Sequence, residues 1–335
     1  MSRVDSKSQP EARAANVLIT AAGRRTSLVQ AFVEATHGRG ARTYAADVDG
    51  LAPALFLADD AVRILRTDDP RYVDDLLEKV VRHAVRLVVP TIDTDLSILA
   101  RNESRFAEVG CRVAISAVPF IDITLDKYCT MVAFHAAGIR VPASWIPPLP
   151  ALTALPATVF IKPRAGSASQ NTYTIERERL EAILRLVHDP IVQEVLTGPE
   201  ITIDALLNFE GVPIHHVPRR RIRTLGGESV QGVTLEHDPR LEDWIEAILD
   251  HCAALGAVGP LTLQAFLTPD GPVLSEINAR FGGGFPLARA AGGDYPGWLL
   301  DMVNGVEVRP RLREFEAGLF MTRSNVERFT RHPKW

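Results

Sequence analysis

Three side chains that suit metal and phosphate chemistry lie two residues apart in one short run. The run reads Val-Leu-Ser-Glu-Ile-Asn-Ala-Arg, and in an extended chain its Glu276, Asn278 and Arg280 point to the same face. Leu274 is predicted to share that face, and Ser275 to lie on the other. Carboxylate and amide oxygens bind hard cations, and a guanidinium binds phosphate bidentately. The spacing therefore predicts a strand that presents a cation and an anionic ligand together.

A turn places a fourth polar residue opposite this strand. The sequence Thr-Pro-Asp-Gly is a strong turn signal, and a hairpin that pairs Leu267 with Val273 puts Gln264 opposite Glu276. Directly opposed side chains have Cβ atoms about 5 Å apart. Gln264, Glu276 and Asn278 are therefore the predicted metal ligands, for Mg²⁺ or alternatively Mn²⁺. An ordinary hairpin with a salt-bridged rim is the alternative interpretation.

The composition excludes several classes of protein. The 335 residues carry a formal net charge of −4, so no overall positive field attracts nucleic acid or a membrane surface. The three cysteines have no metal-binding spacing and favour a reducing compartment, which predicts a cytoplasmic location. The first fifteen residues lack a hydrophobic signal core and are interpreted as a disordered leader.

The first third of the chain alternates apolar runs with helical segments, which predicts a doubly wound parallel sheet of the α/β class. Each strand stops at a turn or polar residue, for example at Gly23, Asp47 and Asp93, so a polar cleft is expected at the strand carboxyl ends. Strands are predicted at 17–19, 44–46, 62–65, 87–89 and 113–115, and helices from Ser27, at 72–83 and at 96–108.

Beyond residue 125 the pattern changes to neighbouring strands, which predicts antiparallel sheets in an α+β region. Helices are expected at 126–137, 178–187 and 241–255, and a proline-rich stretch at 141–156 indicates a boundary between lobes. Strands are predicted at 158–162, 171–175, 191–195, 201–208, 212–217, 261–267 and 272–278.

Gln264, followed by Glu-Ile-Asn-Ala-Arg-Phe-Gly-Gly-Gly over residues 276–284, resembles the metal-binding signature of ATP-grasp enzymes. It is similar to the carbamoyl-phosphate-synthase-like branch and to amino acid and peptide ligases. The resemblance implies a front domain at 16–118 of the pre-ATP-grasp type, and an ATP-grasp domain at 119–311 whose flap lobe covers about 155–196. A final segment, 312–335, follows it.

The resemblance also implies an ATP site built from residues before the metal strand. Lys127 and Lys162 are similar to the two family lysines, and Lys162, at the end of an apolar run, is poorly explained by solvation. Catalytic roles are implied for Arg280 and Lys162. The ATP-binding residues implied by the family pattern are Lys127, Lys162, Gly166 and Ser167 in the flap loop, Gln193, Glu194 and Leu196 at the adenine hinge, and Glu200 at the ribose.

The densest basic run is Arg-Arg-Arg-Ile-Arg at 219–223, and in an extended chain Arg219 and Arg221 share one face. Binding of a substrate carboxylate by these two arginines is one interpretation. A solvated edge strand, whose charges prevent sheet-to-sheet association, is the other.

The function implied by the resemblance is a carboxylate–amine ligase that forms an amide through an acyl phosphate, on an amino acid or small peptide. Its expected partners are a small-molecule carboxylate and an amine, and a homodimer is left open. A carbamoyl-phosphate-synthase-like kinase of bicarbonate or another carboxylate is the first alternative, and a non-catalytic ATP-binding protein is the second. A dinucleotide-dependent oxidoreductase is disfavoured because the turn at Gly23 is not GxGxxG.

Overall fold

The computed structural model describes residues 14–166, 171–225 and 228–335. Ser167 of the predicted ATP site, and the predicted leader up to residue 13, lie outside these ranges. Within the described part of the chain, no helix has the length and apolarity needed to cross a bilayer.

The front of the chain forms a five-stranded parallel sheet with the order β3-β2-β1-β4-β5, which confirms the predicted α/β region. The predicted helix at 96–108 is wrong in its extent, because the chain breaks at Asn102 into two helices. The elements are β1 (Asn16–Ile19), α1 (Thr26–His37), β2 (Thr43–Asp47), β3 (Asp60–Arg63), α2 (Tyr72–Arg82), β4 (Val85–Val89), α3 (Asp93–Arg101), α4 (Glu103–Glu108) and β5 (Arg112–Val113).

The strand order reverses between β1 and β4, which lie next to each other in the sheet. Connections that leave such a pair in opposite directions open a crevice at the strand carboxyl ends. The turn at 20–25 and the loop at 90–93 follow β1 and β4, so both lie at this crevice.

Two consecutive helices, α5 (Val118–Leu125) and α6 (Lys127–Ala136), connect the parallel sheet to the rest of the molecule. Asp126 separates them and caps α6, since its carboxylate accepts from the main-chain N–H groups of Tyr128 at 2.9 Å and Cys129 at 3.2 Å. This cap fixes Lys127 at the first position of α6. Helix α5 has no counterpart in the sequence-based prediction.

A small antiparallel sheet with the order β6-β9-β7-β8 follows. The helix predicted at 178–187 is observed only at Leu180–Leu184, and a 3₁₀ turn at Arg177–Arg179 precedes it. The elements are β6 (Ser144–Trp145), β7 (Thr158–Pro163), β8 (Tyr173–Glu176), α7 (Leu180–Leu184) and β9 (Pro190–Glu194).

The largest sheet is antiparallel, with the order β14-β13-β10-β11-β12-β15. Strand β11 continues eight residues beyond its predicted end, and β12, β15, α9 and α10 were not predicted. The elements are β10 (Glu200–Leu207), β11 (Pro213–Leu225), β12 (Glu228–Thr234), α8 (Pro239–Ala254), β13 (Gly259–Thr268), β14 (Gly271–Asn278), α9 (Phe285–Ala290), α10 (Tyr295–Val303) and β15 (Phe320–Thr322).

The parallel sheet and the largest sheet share their hydrophobic core. One buried cluster joins Leu18 and Val88 of the parallel sheet to Leu263 of β13, and a second joins Ile19 to Phe281. The small sheet packs on a third cluster whose buried members all lie between residues 155 and 192. The small sheet is therefore a lobe with its own core, set against a body made of the other two sheets.

Candidate functional site

The hairpin of β13 and β14 positions the predicted metal ligands. Gln264 pairs directly with Glu276, as predicted, but the register near the turn is wrong: Leu267 pairs with Pro272 and Phe266 with Val273. A β-bulge between Gln264 and Ala265 restores the predicted alignment.

The bulge also reverses two side-chain assignments. Leu274, predicted beside Glu276, is fully buried in the shared core together with Ile277. Ser275, predicted on the opposite face from Glu276, lines the same cavity as Glu276. An extra residue in one strand shifts the inside–outside alternation on one side of it, which is why strict period-two counting fails here.

A chain of hydrogen bonds runs along the metal strand to the parallel sheet. The Asn278 amide donates to Glu276 Oε1 at 3.1 Å, and Arg280 Nη2 donates to Asn278 Oδ1 at 3.2 Å. Arg280 also binds the Asp93 carboxylate bidentately, at 2.7 and 3.0 Å. Asp93 begins α3 at the crevice of the parallel sheet. The guanidinium is thus held in a fixed plane before any ligand arrives.

Lys162 is the penultimate residue of β7, and only 8% of its surface is exposed. Burial lowers the pKa of its ammonium group to about 8; the Glu276 and Glu200 carboxylates oppose this shift, whereas nearby Lys127 adds to it. A buried ammonium whose charge is only partly offset is stabilised most by an anion with several negative charges. That property suits the predicted contact with phosphate.

Lys127 faces the loop that follows β7. Its Nζ donates to the Gly166 carbonyl at 2.6 Å, and its main-chain N–H donates to the Arg164 carbonyl at 3.0 Å. Arg164 in turn forms an ion pair with the capping residue Asp126. The start of α6 is therefore tied to the small lobe, which brings both predicted lysines to one cavity.

The predicted adenine hinge lies where β9 ends. Glu194 exchanges two hydrogen bonds with Ala143, each 3.0 Å long, and the buried Gln193 amide donates to Ser144 Oγ at 2.8 Å. Leu196 lies past the strand and lines the cavity. Gly198 anchors the following turn, because a Cβ there would lie 2.2 Å from the Leu267 carbonyl oxygen.

The two substrate arginines predicted from the basic run have different surroundings. Arg221 lines the cavity and forms an ion pair with Glu200, the predicted ribose residue. Arg219 is almost fully buried and pairs with buried Asp204 at 2.7 Å. Arg219 lies under Gly284, since a Cβ on that glycine would be 2.3 Å from the guanidinium carbon. The structure thus brings Arg221, but not Arg219, to the cavity.

A cavity of about 750 Å³ collects most of the predicted residues. A small cavity beside it is lined by Asp93, Lys127, Gly166, Glu276 and Asn278. Lys127, Gly166 and Glu276 line both spaces, so the predicted metal ligands stand where the two meet. The predicted residues on the larger cavity are Lys127, Lys162, Gly166, Gln193, Glu194, Leu196, Glu200, Arg221, Gln264 and Glu276.

The donor set fits Mg²⁺ better than a softer metal. Gln264, Glu276 and Asn278 supply only oxygen ligands and a single carboxylate, which suits a cation that completes its shell with phosphate oxygens and water. Over the described residues no group of three or more His, Cys, Asp or Glu side chains forms a metal-binding cluster. The residues present therefore fit a cation that is bound together with a polyphosphate.

Sequence reasoning did not assign two residues that shape this site. Asp93 was predicted at the cleft, but its bond to Arg280 spans 187 positions, which local spacing cannot reveal. Thr262 of β13 donates to the Arg280 carbonyl at 3.0 Å and so fixes the main chain behind the guanidinium. The sequence signal for Asp93 was its place directly after a buried strand.

Two family models match the chain. A model described as the PylC-like N-terminal domain matches residues 17–114, and one described as ATP-grasp in the biosynthetic pathway with Ter operon matches residues 187–326. The second match includes the predicted adenine hinge at residues 193–196 and the metal strand β14. A sequence search of curated proteins returns no match.

Solved structures share the fold over 88–91% of this chain at low sequence identity. The biotin carboxylase domain of Hydrogenobacter thermophilus 2-oxoglutarate carboxylase, in complex with MgADP and bicarbonate, has a TM-score of 0.73 at 15% identity, covering 91% of this chain and 73% of that one. N5-carboxyaminoimidazole synthetase from Staphylococcus aureus with ADP gives 0.72 at 13%, covering 90% and 80%. L-amino acid ligase from Bacillus licheniformis gives 0.67 at 17%, covering 88% and 77%.

Proposed function

The chain belongs to the ATP-grasp superfamily, and from that premise we propose that it is an ATP-dependent carboxylate–amine ligase acting on an amino acid or small peptide. The observation that carries the proposal is that Lys162, Gln264 and Glu276 line one cavity, and that hydrogen bonds join Glu276 through Asn278 to Arg280. Binding of ATP without turnover does not require a complete set of metal and phosphate residues.

The proposed reaction has two steps. A carboxylate oxygen attacks the γ-phosphorus and ADP leaves, giving an acyl phosphate; an amine nitrogen then attacks the acyl carbon, phosphate leaves, and the nitrogen loses a proton. Gln264, Glu276 and Asn278 would hold Mg²⁺, which would neutralise charge on the phosphate oxygens. Lys162 and Arg280 offset the charge that develops during transfer. The chain contributes position and electrostatics, so the reaction needs no side-chain nucleophile.

The adenine and ribose would occupy the other end of the cavity. The main chain of residues 195 and 196, just beyond β9, would offer donors and acceptors to the adenine, and Glu200 would accept from ribose hydroxyls. Because Arg221 holds the Glu200 carboxylate, we expect Arg221 to support nucleotide binding.

The proposal is tested by an ADP-release screen over carboxylates with and without amines, with mass detection of the product. Turnover that depends on an amine supports the ligase. ADP release with bicarbonate and no amine favours a carbamoyl-phosphate-synthase-like kinase. No ADP release under any condition contradicts the ligase and favours a non-catalytic ATP-binding protein. ADP release that needs no acid also contradicts the ligase, because it shows hydrolysis of ATP by water.

The metal site is tested by Glu276→Ala, which removes its single carboxylate from a half-buried position. We expect it to abolish ADP formation while the thermal unfolding of the free protein stays close to that of the wild type. Full activity of this variant would contradict the assignment of Glu276 as a metal ligand.

A further inference from the structure

A cavity of about 460 Å³ lies where two strands of the parallel sheet begin. It is lined by Arg86, near the start of β4, and by Arg112, the first residue of β5. Most of the remaining wall comes from the turn between β10 and β11, at 208–210, and from the chain around the end of α10, between 302 and 308. We call this space the β4–β5 cavity.

The β4–β5 cavity is separate from the candidate ATP site. Among the described residues, none lines both this cavity and the larger one of about 750 Å³. Strand β4 has five residues and is therefore roughly 16 Å long. Arg86 lies near its first residue, whereas its last residue leads to the loop at Asp93, which binds Arg280. A ligand in the β4–β5 cavity thus lies at the opposite end of the strand from the metal site.

Two guanidinium groups give the cavity a positive side. Arg86 is held in place, since its Nη1 and Nη2 donate to two acceptors at the carboxyl end of α10, at 3.3 and 3.2 Å. The guanidinium carbon of Arg112 lies 4.7 Å from the centre of the Phe209 ring, and Arg112 also forms an ion pair with Glu103 at 3.6 Å. The two side chains of that pair are 45% and 39% exposed, so the pair is weak. A bound carboxylate can therefore replace Glu103 as the partner of Arg112.

Two acidic residues line the same cavity. Glu210 lies in the turn between β10 and β11, and Glu307 follows α10. In the part of the chain that the structure describes, the carboxylate of neither residue has a hydrogen bond or an ion pair. An ammonium group that enters the cavity can therefore pair with them without breaking an existing contact.

The base of the cavity is apolar. Phe209, Met302, Val303 and Val308 line it, and each is packed against one of the two shared core clusters. These side chains are only partly buried, so each keeps apolar surface that a ligand can cover. Removal of such surface from water favours binding. The base therefore suits an apolar side chain placed between charged groups of both signs.

We propose that the β4–β5 cavity binds a free amino acid with an apolar side chain. Arg86 and Arg112 bind its carboxylate, Glu210 and Glu307 pair with its ammonium, and its side chain covers the apolar base. A simple anion would lie beside two unpaired carboxylates, and a simple cation beside two guanidinium groups, whereas a zwitterion complements both. The volume suits one such molecule, since small-ligand sites measure about 300–1,000 Å³. The site is additional to the ligase cavity and does not depend on the reaction proposed there.

Calorimetry with free amino acids tests the site without turnover. The full-length protein, without nucleotide, is titrated separately with L-valine, L-leucine, L-methionine and L-phenylalanine. The best ligand is then compared with its two analogues that lack either the ammonium or the carboxylate. We expect the amino acid to bind about tenfold or more tightly than either analogue, because each analogue leaves one pair of protein charges without a partner. No binding of any of the four amino acids, or equal binding of an analogue, overturns the inference.

Arg112→Ala tests the carboxylate contact, because Arg112 is exposed and its loss should leave the fold intact. We expect the Kd of the amino acid to rise about tenfold or more, and Arg112→Lys, which keeps the charge without the planar fork, to give an intermediate value. The matched control is Arg105→Ala: its side chain is 44% exposed and pairs with Asp74, but it does not line the cavity. This control should bind the amino acid as the wild type does. Equal Kd values for the wild type and Arg112→Ala contradict the contact.

Ala107→Trp tests the location of the site. Ala107 is an exposed residue of α4 that lines the cavity, so a larger side chain there can fill the space without entering the core. We expect this variant to lose amino acid binding, while its thermal unfolding and any ADP release found in the screen stay those of the wild type. Unchanged binding in Ala107→Trp would place the amino acid elsewhere, for example in the ligase cavity, and would overturn the inference. Because the titration needs neither ATP nor turnover, the inference can fail while the ligase reaction succeeds, and it can succeed while the ligase reaction fails.

Discussion

Lys162 shows how one residue can be unfavourable in the free protein and useful in the complex. Burial makes its positive charge costly, and the Glu276 and Glu200 carboxylates only partly offset that cost. A polyphosphate bound in the cavity, as we propose, would supply the missing negative charge. The ammonium group therefore favours a ligand with several negative charges over a neutral ligand.

This balance predicts a pH dependence of nucleotide binding. Burial lowers the Lys162 pKa to about 8, so the ammonium is charged below that pH and loses its proton above it. The Kd of the MgATP complex should be nearly constant below pH 8 and rise above it, by at most about tenfold per pH unit. Calorimetry between pH 7 and 9.5 measures the effect.

The control for this prediction is Lys162→Arg, whose guanidinium stays protonated throughout the range. Near neutral pH, the Kd of this variant for MgATP should be higher than that of the wild type, because the planar guanidinium does not fit the lysine position. That Kd should not change with pH. An equal rise in both proteins would assign the titration to another group.

The residues of the metal strand could be predicted from the sequence, because a hairpin fixes cross-strand neighbours through local rules. Gln264 does lie opposite Glu276, yet the inferred register was off by one position at the turn and the bulge corrected it. No local pattern marked that bulge. The link from Arg280 to Asp93 depends on how two sheets pack, and pairing residues that far apart requires the fold.

At the scale of elements, polar side chains hold the loop after the metal strand, residues 281–284, from the inside of the protein. A Cβ on Gly282 would lie 2.8 Å from Thr262 Oγ1, and one on Gly284 would lie 2.3 Å from the Arg219 guanidinium carbon. Arg219 cannot easily move aside, because it is buried in an ion pair with Asp204. The sequence suggested close main-chain approach at these glycines, but the neighbour that enforces it at Gly284 was predicted to bind substrate.

We therefore expect Gly284→Ala to destabilise the protein by roughly 3 kcal/mol, close to the cost of disrupting a buried ion pair. Urea unfolding followed by circular dichroism measures this loss. Gly38→Ala is the matched control, since a Cβ there meets its nearest atoms at 3.8 Å and the glycine already has an ordinary helical conformation. Equal stability of the two variants would show that the loop is not pinned by Arg219.

At the scale of the whole molecule, the site lies between a large body and a small lobe. Glu276 and Arg280 belong to the body, whose two sheets share a core, whereas Lys162 belongs to the small lobe, whose core is separate. The sequence predicted the change from parallel to antiparallel sheets. It did not predict that the parallel sheet would be packed into the body, because a shared core leaves no local pattern.

This division predicts two levels of protection in hydrogen exchange. Ile161→Ala, in the small core, should speed exchange in β7 and β9 and leave β1 and β4 unchanged. Leu263→Ala, in the shared core, should speed exchange in β10, β13, β1 and β4, because it lowers the stability of the body by about 2–5 kcal/mol. Faster exchange of β1 in the Ile161 variant would contradict separate cores.

The most direct test of the central claim follows the oxygen atoms of the acid. Once the ADP-release screen has identified an acid, both oxygens of its reacting carboxylate are labelled with ¹⁸O, and the phosphate released during amide formation is analysed by mass spectrometry. If the carboxylate attacks the γ-phosphorus, each phosphate carries one ¹⁸O atom and the amide keeps the other. Unlabelled phosphate, or label found in AMP, would contradict an acyl phosphate formed at this site.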